Sequence, residues 1–373
     1  ARDSFDMLDN ADLQLGEIKD ENGDSLSLTH GNFQSLMQSY NRRLRKEAFH
    51  TYYKAYESHR FTYSTLLSSS VKKDLFYSRS RNYSGHRAKA LFSENIDEGV
   101  YDNLIQSVHQ NLQPLYKYFD LRKRLLDLDN LHIYDCSVPL VKNIKWHMSY
   151  EEAVEKIKIA LKPLGEEYVE LMGKGLLRDR WTDRYENKGK RSGAYSSGCY
   201  DSNPFILMNY KEDNINSVYT LAHEAGHSMH SLFSRKNQPY LYSDYTIFVA
   251  EVASTFNESL LTKYFLAEDI DLDMRIYLLC REIDNFRGTL YRQTMFAEFE
   301  HKVYNAAEGN QPLTLETFQE IYKGLLELYF GSGVVLDDCL SLECFRIPHF
   351  YFSFYVYKYA TGISAAYALA NRV

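Results

Sequence analysis

Cysteine is scarce and follows no pattern. The 373 residues hold five (Cys136, Cys199, Cys280, Cys339 and Cys344), scattered and without a C-x-x-C spacing. That favours reduced thiols and a cytoplasmic home over a disulfide framework or a thiolate zinc site. Long apolar runs are missing too. No stretch approaches the roughly 18 uninterrupted apolar residues of a membrane span, and residues 1–6 carry no apolar signal core. Positive charge is not in excess. A net charge of −7 and a pI near 6.0 argue against nucleic acid as a partner, and clusters such as Arg42-Arg43-Leu44-Arg45-Lys46 read as solvated helix faces. No internal repeat, heptad array or low-complexity stretch is present.

Aromatic residues, by contrast, are abundant: 32 Tyr and 21 Phe. A tyrosine offers a ring for packing and a hydroxyl for bonding, which serves either a core or a cleft that holds peptide backbone. The length allows one large helical domain or two lobes. Leu13-Gln14-Leu15 and Leu26-Ser27-Leu28 flank Asn22-Gly23, which predicts a small hairpin. From 33 to 92 the apolar spacing is helical, with breaks expected near 68–70 and 78–85. Ser93 should open one helix running to about 127, with Asp97 and Glu98 at its positive end. Ser149-Tyr150-Glu151-Glu152 is a capping box, and the helix after it should bend at Pro163. Phe205 to Met208 reads as a short buried strand. Asp271 to Ala307 reads as one long helix, Thr314 caps another to Phe330, and Asp337-Asp338 reads as a turn.

The chemistry concentrates in Leu221 to His230, L-A-H-E-A-G-H-S-M-H. His223 and His227 are four apart, so on a helix they share one face and can reach a single zinc ion at roughly 2.0–2.1 Å. Glu224 lies beside that metal and can take a proton from water, the H-E-x-x-H arrangement of zinc peptidases. The extension H-E-x-x-H-x-x-G-x-x-H is absent, because residue 230 is His and residue 233 is Phe. A third ligand is still needed. Tyr245 to Leu261 reads as the next helix, with Glu251 set among Phe248, Val249, Ala250, Val252 and Ala253. A carboxylate in so apolar a run calls for a cation, so Glu251 is the third candidate ligand. Glu258, two turns on, is either an acceptor for a ligand-histidine N–H or an ordinary exposed glutamate.

These segments resemble the thimet oligopeptidase and oligoendopeptidase F family, whose pattern is H-E-x-G-H-x-x-H with a Glu ligand on the next helix. The likeness extends through residues 28–33, 45–49, 132–140, 190–200 and 346–362. The nearer branch is oligoendopeptidase F. Carried over by residue, it makes His223, His227 and Glu251 ligands of one Zn2+ per chain and Glu224 the general base. It implies a mainly α, multi-helix zincin-like metallopeptidase fold with a small sheet beside a deep substrate cleft. Gly193, Ala194, Tyr195 and Tyr200 would line the substrate side, and short peptides would be the substrates. Residues 1–140 would be helical scaffold and 141–373 the zinc-binding catalytic region.

After Pro348-His349 the sequence predicts a helix with Tyr351, Tyr355 and Tyr359 on one stripe. An aromatic stripe taken alone suits a core, but the resemblance gives His349 and Tyr355, with Tyr359 as a further candidate, hydrogen bonds to the substrate carbonyl and oxyanion. Gly362 falls near where some relatives carry another Tyr. Family members are longer, so the resemblance implies the catalytic part without segments at either end. The expected activity is zinc-dependent endopeptidase cleavage. The competing reading is a peptide-binding fragment of the same fold without catalysis.

Overall fold

The computed structural model describes residues 1–142 and 144–373. The chain is mainly α-helical with a few short strands. It divides into two compact units, Ala1–Leu140 with Tyr291–Tyr357, and Val141–Leu290 with Lys358–Val373. All five cysteines are unbridged, and no helix among the described residues is long and apolar enough to cross a membrane.

In the first unit, side-chain caps start the helices. Thr29 accepts from the Asn32 N–H at the head of His30–Met37, and Asn41 from Leu44 ahead of Arg42–Ser58. Asp97 does the same ahead of Glu98–Gln110, and Thr314 ahead of Leu315–Phe330. Each cap satisfies an N–H that the first turn leaves without a helical partner. The hairpin is present: Glu17–Lys19 pairs antiparallel with Ser25–Ser27. Two expectations about where helices break fail. The serines at 68–70 break nothing, because Arg60–Ser80 is one helix in which Ser68 and Ser70 are buried. Nor is 93–127 one helix. Glu98–Gln110 stops at Asn111, and Gln113–Leu125 begins with Pro114 in its first turn, where a missing N–H costs nothing.

Much of the tyrosine excess is core in this unit. Tyr56, Tyr63, Tyr101, Tyr322 and Tyr329 are buried. Their hydroxyls donate to Asp9 (Tyr56 and Tyr63), the Ala297 carbonyl, Glu343 and Glu298. A ring can be buried this way without leaving its hydroxyl unsatisfied.

The expected aromatic stripe does not form. Pro348–Tyr351 is a 3-10 turn, Phe354 sits at φ +55°, and the regular helix is Tyr357–Ala370. Tyr351 and Tyr355 therefore lie outside the helix that carries Tyr359. The cause is tertiary. The Phe354 N–H donates to the buried Glu300 carboxylate at 2.8 Å, and Ser353 bonds the buried His86 ring at 2.7 Å. These contacts hold a conformation that a non-glycine residue adopts at a cost of about 1–2 kcal/mol.

In the second unit, Ser149 forms the expected capping box with Glu152 and starts Tyr150–Ala160. Pro163 ends that helix rather than bending it, since only a 3-10 turn, Lys162–Leu164, follows. Glu166–Leu177 comes next. A three-stranded sheet then places Phe205–Leu207 between Thr182–Asp183 (parallel) and Tyr195–Ser197 (antiparallel). The helices Ile215–Asn237, Ile247–Ala267 and Leu272–Asn285 complete the unit with residues 358–370. The core joins Val154, Ile157, Met172, Trp181, Ile206 and Leu261 to the apolar face of Ile215–Asn237. The long helix expected over 271–307 is interrupted by a π-helical turn, Phe286–Tyr291, and continues as Arg292–Glu308.

Candidate metal centre

Two helices of the second unit build the centre. Val218, Leu221, Ala222, Ala225 and Met229 of Ile215–Asn237 are buried in the core, so the residues between them form a separate face. His223 and His227 lie on that face, one turn apart, with ring centroids 4.8 Å from each other. The helix Ile247–Ala267 meets them at close range because residue 226 is glycine. A Cβ at Gly226 would stand 2.7 Å from Ser254 Cα and 2.9 Å from the Ala253 carbonyl oxygen. Asn257 ties the same two backbones, donating to the Ala222 carbonyl at 3.1 Å.

This approach brings Glu251 to the histidines. Its Oε2 lies 3.3 Å from His223 Nε2 and 3.5 Å from His227 Nε2. One ligating atom from each of the three residues falls within 4.8 Å of the other two. Ser254 donates to the same carboxylate oxygen at 3.1 Å. The other His223 nitrogen, Nδ1, donates to Glu258 Oε1 at 2.7 Å, and Arg281 donates to Glu258 Oε2 at 3.1 Å. Glu258 is thus an acceptor for this imidazole, not an exposed glutamate.

Charge follows from these contacts. Burial disfavours the His223 cation, yet the Glu251 and Glu258 carboxylates outweigh it and raise its pKa to about 10. Burial likewise opposes ionisation of Glu251 and Glu258, but the imidazoles hold Glu251 far below the usual carboxylate range, and His223 and Arg281 hold Glu258 below it. Glu224 goes the other way. It is only 7% exposed, burial raises its pKa, and its Oε2 has no hydrogen-bond partner.

The structure therefore brings together His223, His227, Glu251, Glu224 and Glu258. His230, on the same helix, stacks on Tyr245 at 3.7 Å and is not among the converging donors. Beside the centre, Ser196 of the edge strand bonds Ser228 of Ile215–Asn237 at 2.8 Å. Strand alternation then turns Tyr195 to the opposite, outward face, where it is half exposed in a surface pocket with Thr182, Asp183 and Phe205. The Gly193 carbonyl accepts from Asn209, Ala194 packs on the core, and the Tyr200 hydroxyl donates to the Gln238 carbonyl at 2.9 Å. Tyr359 belongs to the second unit. His349 and Tyr355 belong to the first, where their rings lie 5.9 Å apart.

The model of peptidase family M3 matches residues 35–373. This chain belongs to peptidase family M3. Oligopeptidase PepF of Bacillus subtilis (strain 168) is 50% identical over 370 residues, 99% of this chain and 55% of that protein. A crystal structure from Chlamydophila abortus superposes on the whole chain with TM-score 0.93 and 41% identity, over 62% of its own length. Oligoendopeptidase-F from Enterococcus faecium gives TM-score 0.80 and 37% identity over 60% of its length. The chain spans about 55 to 62% of the length of these M3 relatives. Two residues that shape this candidate centre gave no signal used above. Gly226 stands inside the H-E-x-G-H pattern, whose glycine could have signalled a close helix contact. Arg281 had no local signal at all.

Proposed function

We propose that this chain carries the catalytic centre of a zinc-dependent endopeptidase that cleaves internal bonds of short peptides. The observation that carries the reading is the convergence of His223, His227 and Glu251 within 4.8 Å, next to a buried Glu224 with an unpartnered oxygen. Two imidazole nitrogens and one carboxylate oxygen are a donor set used by catalytic zinc, so the residues present fit that ion. Zn2+ bound there supplies Lewis acidity toward water and toward a peptide carbonyl.

The other parts belong to the chain. Glu224 takes a proton from water and delivers it to the leaving amine, and burial, by raising its pKa, keeps the carboxyl able to hold that proton between steps. Glu258 orients His223 through Nδ1 and leaves Nε2 for the metal. The strand Tyr195–Ser197 stands at the edge of its sheet, where an extended peptide can add by main-chain hydrogen bonds. Donors to the carbonyl and oxyanion are His349 and Tyr355, with Tyr359 the further candidate, an assignment that rests on the family resemblance of their segment. Short peptides as substrates follow the names of the relatives, an oligopeptidase and an oligoendopeptidase. The unbridged cysteines fit a reducing compartment, and we place the protein in the cytoplasm.

The test is cleavage of a quenched fluorescent oligopeptide by the 373-residue chain and by Glu224→Gln, with zinc content measured in both. Internal cleavage by the parent and none by the zinc-loaded variant is the expected result. Zinc in both and cleavage in neither would leave the peptide-binding alternative. No zinc in either would overturn the metal assignment.

A further inference from the structure

We propose that Arg281 is a positioning residue for the metal centre, acting through Glu258 on His223. The inference rests on the zinc reading above. Tyr219, His223 and His227 fall at i, i+4 and i+8 on one helix face, so the stripe that carries the two histidines begins with an aromatic ring. The Arg281 guanidinium lies on that ring, 3.4 Å from its centroid. Its three nitrogens are all engaged. One donates to Glu258 Oε2 at 3.1 Å, one to Glu282 at 3.4 Å and one to Asn216 at 3.3 Å. The platform is held in turn, since Tyr219 bonds Thr262 at 3.1 Å and Thr262 donates to Glu282 at 2.8 Å. Tyr367 donates to the other oxygen of Glu282.

The consequence is geometric. Glu258 has two carboxylate oxygens, one on His223 Nδ1 and the other on Arg281. A carboxylate held at one oxygen can still turn about its last bond, whereas one held at both cannot. Arg281 therefore fixes the plane of Glu258, Glu258 fixes the His223 ring, and Nε2 stays directed at Glu251 and the metal position. The planar fork of arginine can serve the carboxylate, the amide oxygen and the ring face together, which a lysine ammonium cannot.

Charge alone makes the opposite prediction, which gives the test a sign. A cation close to a metal site repels the metal, so deleting Arg281 should tighten binding if its role were electrostatic. If it positions, deletion should weaken binding by about 10- to 100-fold, the usual loss on removing an outer ligand partner. The experiment measures Zn2+ Kd by chelator competition on the 373-residue chain, together with the visible spectrum of the Co2+ form and the melting temperature of the metal-free protein. The variants are Arg281→Met, Arg281→Lys, Glu258→Ala and the Arg281→Met/Glu258→Ala pair.

We expect weaker Zn2+ binding and an altered Co2+ spectrum in Arg281→Met, with part of the loss restored in Arg281→Lys. Over Glu258→Ala alone, the double variant should lose no more. Unchanged or tighter binding in Arg281→Met would overturn the inference, as would independent losses that multiply in the double variant. Should Arg281→Met not fold, Arg281→Lys in the parent and Glu258→Ala backgrounds decides by the same comparison. Failure of the parent itself to bind Zn2+ would overturn the zinc reading and this inference together, whereas a binding parent with indifferent variants removes this inference alone.

Discussion

The two units close their buried carboxylates in different ways. In the first unit, Asp135 is fully buried and receives Arg42 at 3.0 Å, Arg45 at 2.6 Å and the His132 N–H at 3.0 Å. Glu343, 4% exposed, is likewise bonded by Arg292, by Arg346 at 2.7 Å and by the Tyr322 hydroxyl at 2.8 Å. Permanent cations complete both. In the second unit, Glu251 meets two imidazoles and a serine, and Glu224 keeps one oxygen without a partner. The contrast separates carboxylates bonded by permanent cations from one that meets imidazoles and one that keeps an unpaired oxygen. Glu258 stands between the two kinds, with His223 on one oxygen and Arg281 on the other.

The largest expected effect removes the available carboxylate. Glu224→Gln should lower kcat on a fluorogenic oligopeptide by about 10²–10⁴-fold while zinc content stays at the parent level. Equal turnover would erase the functional side of the contrast. Breaking a closed cluster should do the reverse. Arg292→Met leaves Glu343 buried with one cation fewer, and urea unfolding should show a loss of about 3–5 kcal/mol with zinc binding unchanged. A variant as stable as the parent would mean that these arginines do not close the first unit.

The closed cluster also has a pH signature. Burial opposes ionisation of Glu343, but Arg292 and Arg346 outweigh it and hold its pKa at about 2, down from 4.5. A carboxyl lowered in this way contributes its stability in full above about pH 4.5 and loses it as the pH falls toward 2. The melting temperature of the parent should fall more steeply through that window than that of Glu343→Gln. Parallel curves would remove Glu343 from the account.

Smaller effects test the packing that makes the open cluster. Gly226→Ala puts a methyl 2.7 Å from Ser254 Cα, which forces Ile215–Asn237 and Ile247–Ala267 apart. About 1–3 kcal/mol of overpacking should appear in thermal unfolding, together with weaker Zn2+ binding. A change in stability without a change in zinc affinity would mean that helix spacing does not set the site. The least effect belongs to a pair exposed to water. Lys236 and Glu167 lie 2.6 Å apart with more than half of each side chain exposed. Lys236→Ala should cost no more than about 1 kcal/mol in the same melt.

How much of this was legible depends on range along the chain. The helix caps at Thr314 and Ser149 and the hairpin at Asn22-Gly23 were readable because turn and cap chemistry acts over two to four residues. So were His223, His227 and Glu224, since helical spacing alone puts them on neighbouring positions. Glu251 was readable for a different reason: a charge in an apolar run has to be compensated. The failures share a cause. Phe354 turns because Glu300 and His86 hold its neighbourhood, and neither lies near it in sequence. Ser68 and Ser70 look like loop residues until a packed helix buries them.

The sequence by itself therefore determined which groups are present and how they are spaced: two imidazoles and a carboxylate at helical spacing, and a second carboxylate stranded among apolar residues. Only the tertiary structure decided which partner each group has. Gly226 admits the second helix, Arg281 takes one oxygen of Glu258, and Glu224 is left with an oxygen unpaired. Spacing along a helix follows from backbone geometry, but the partners of a buried charge come from whichever segments the core packs beside it.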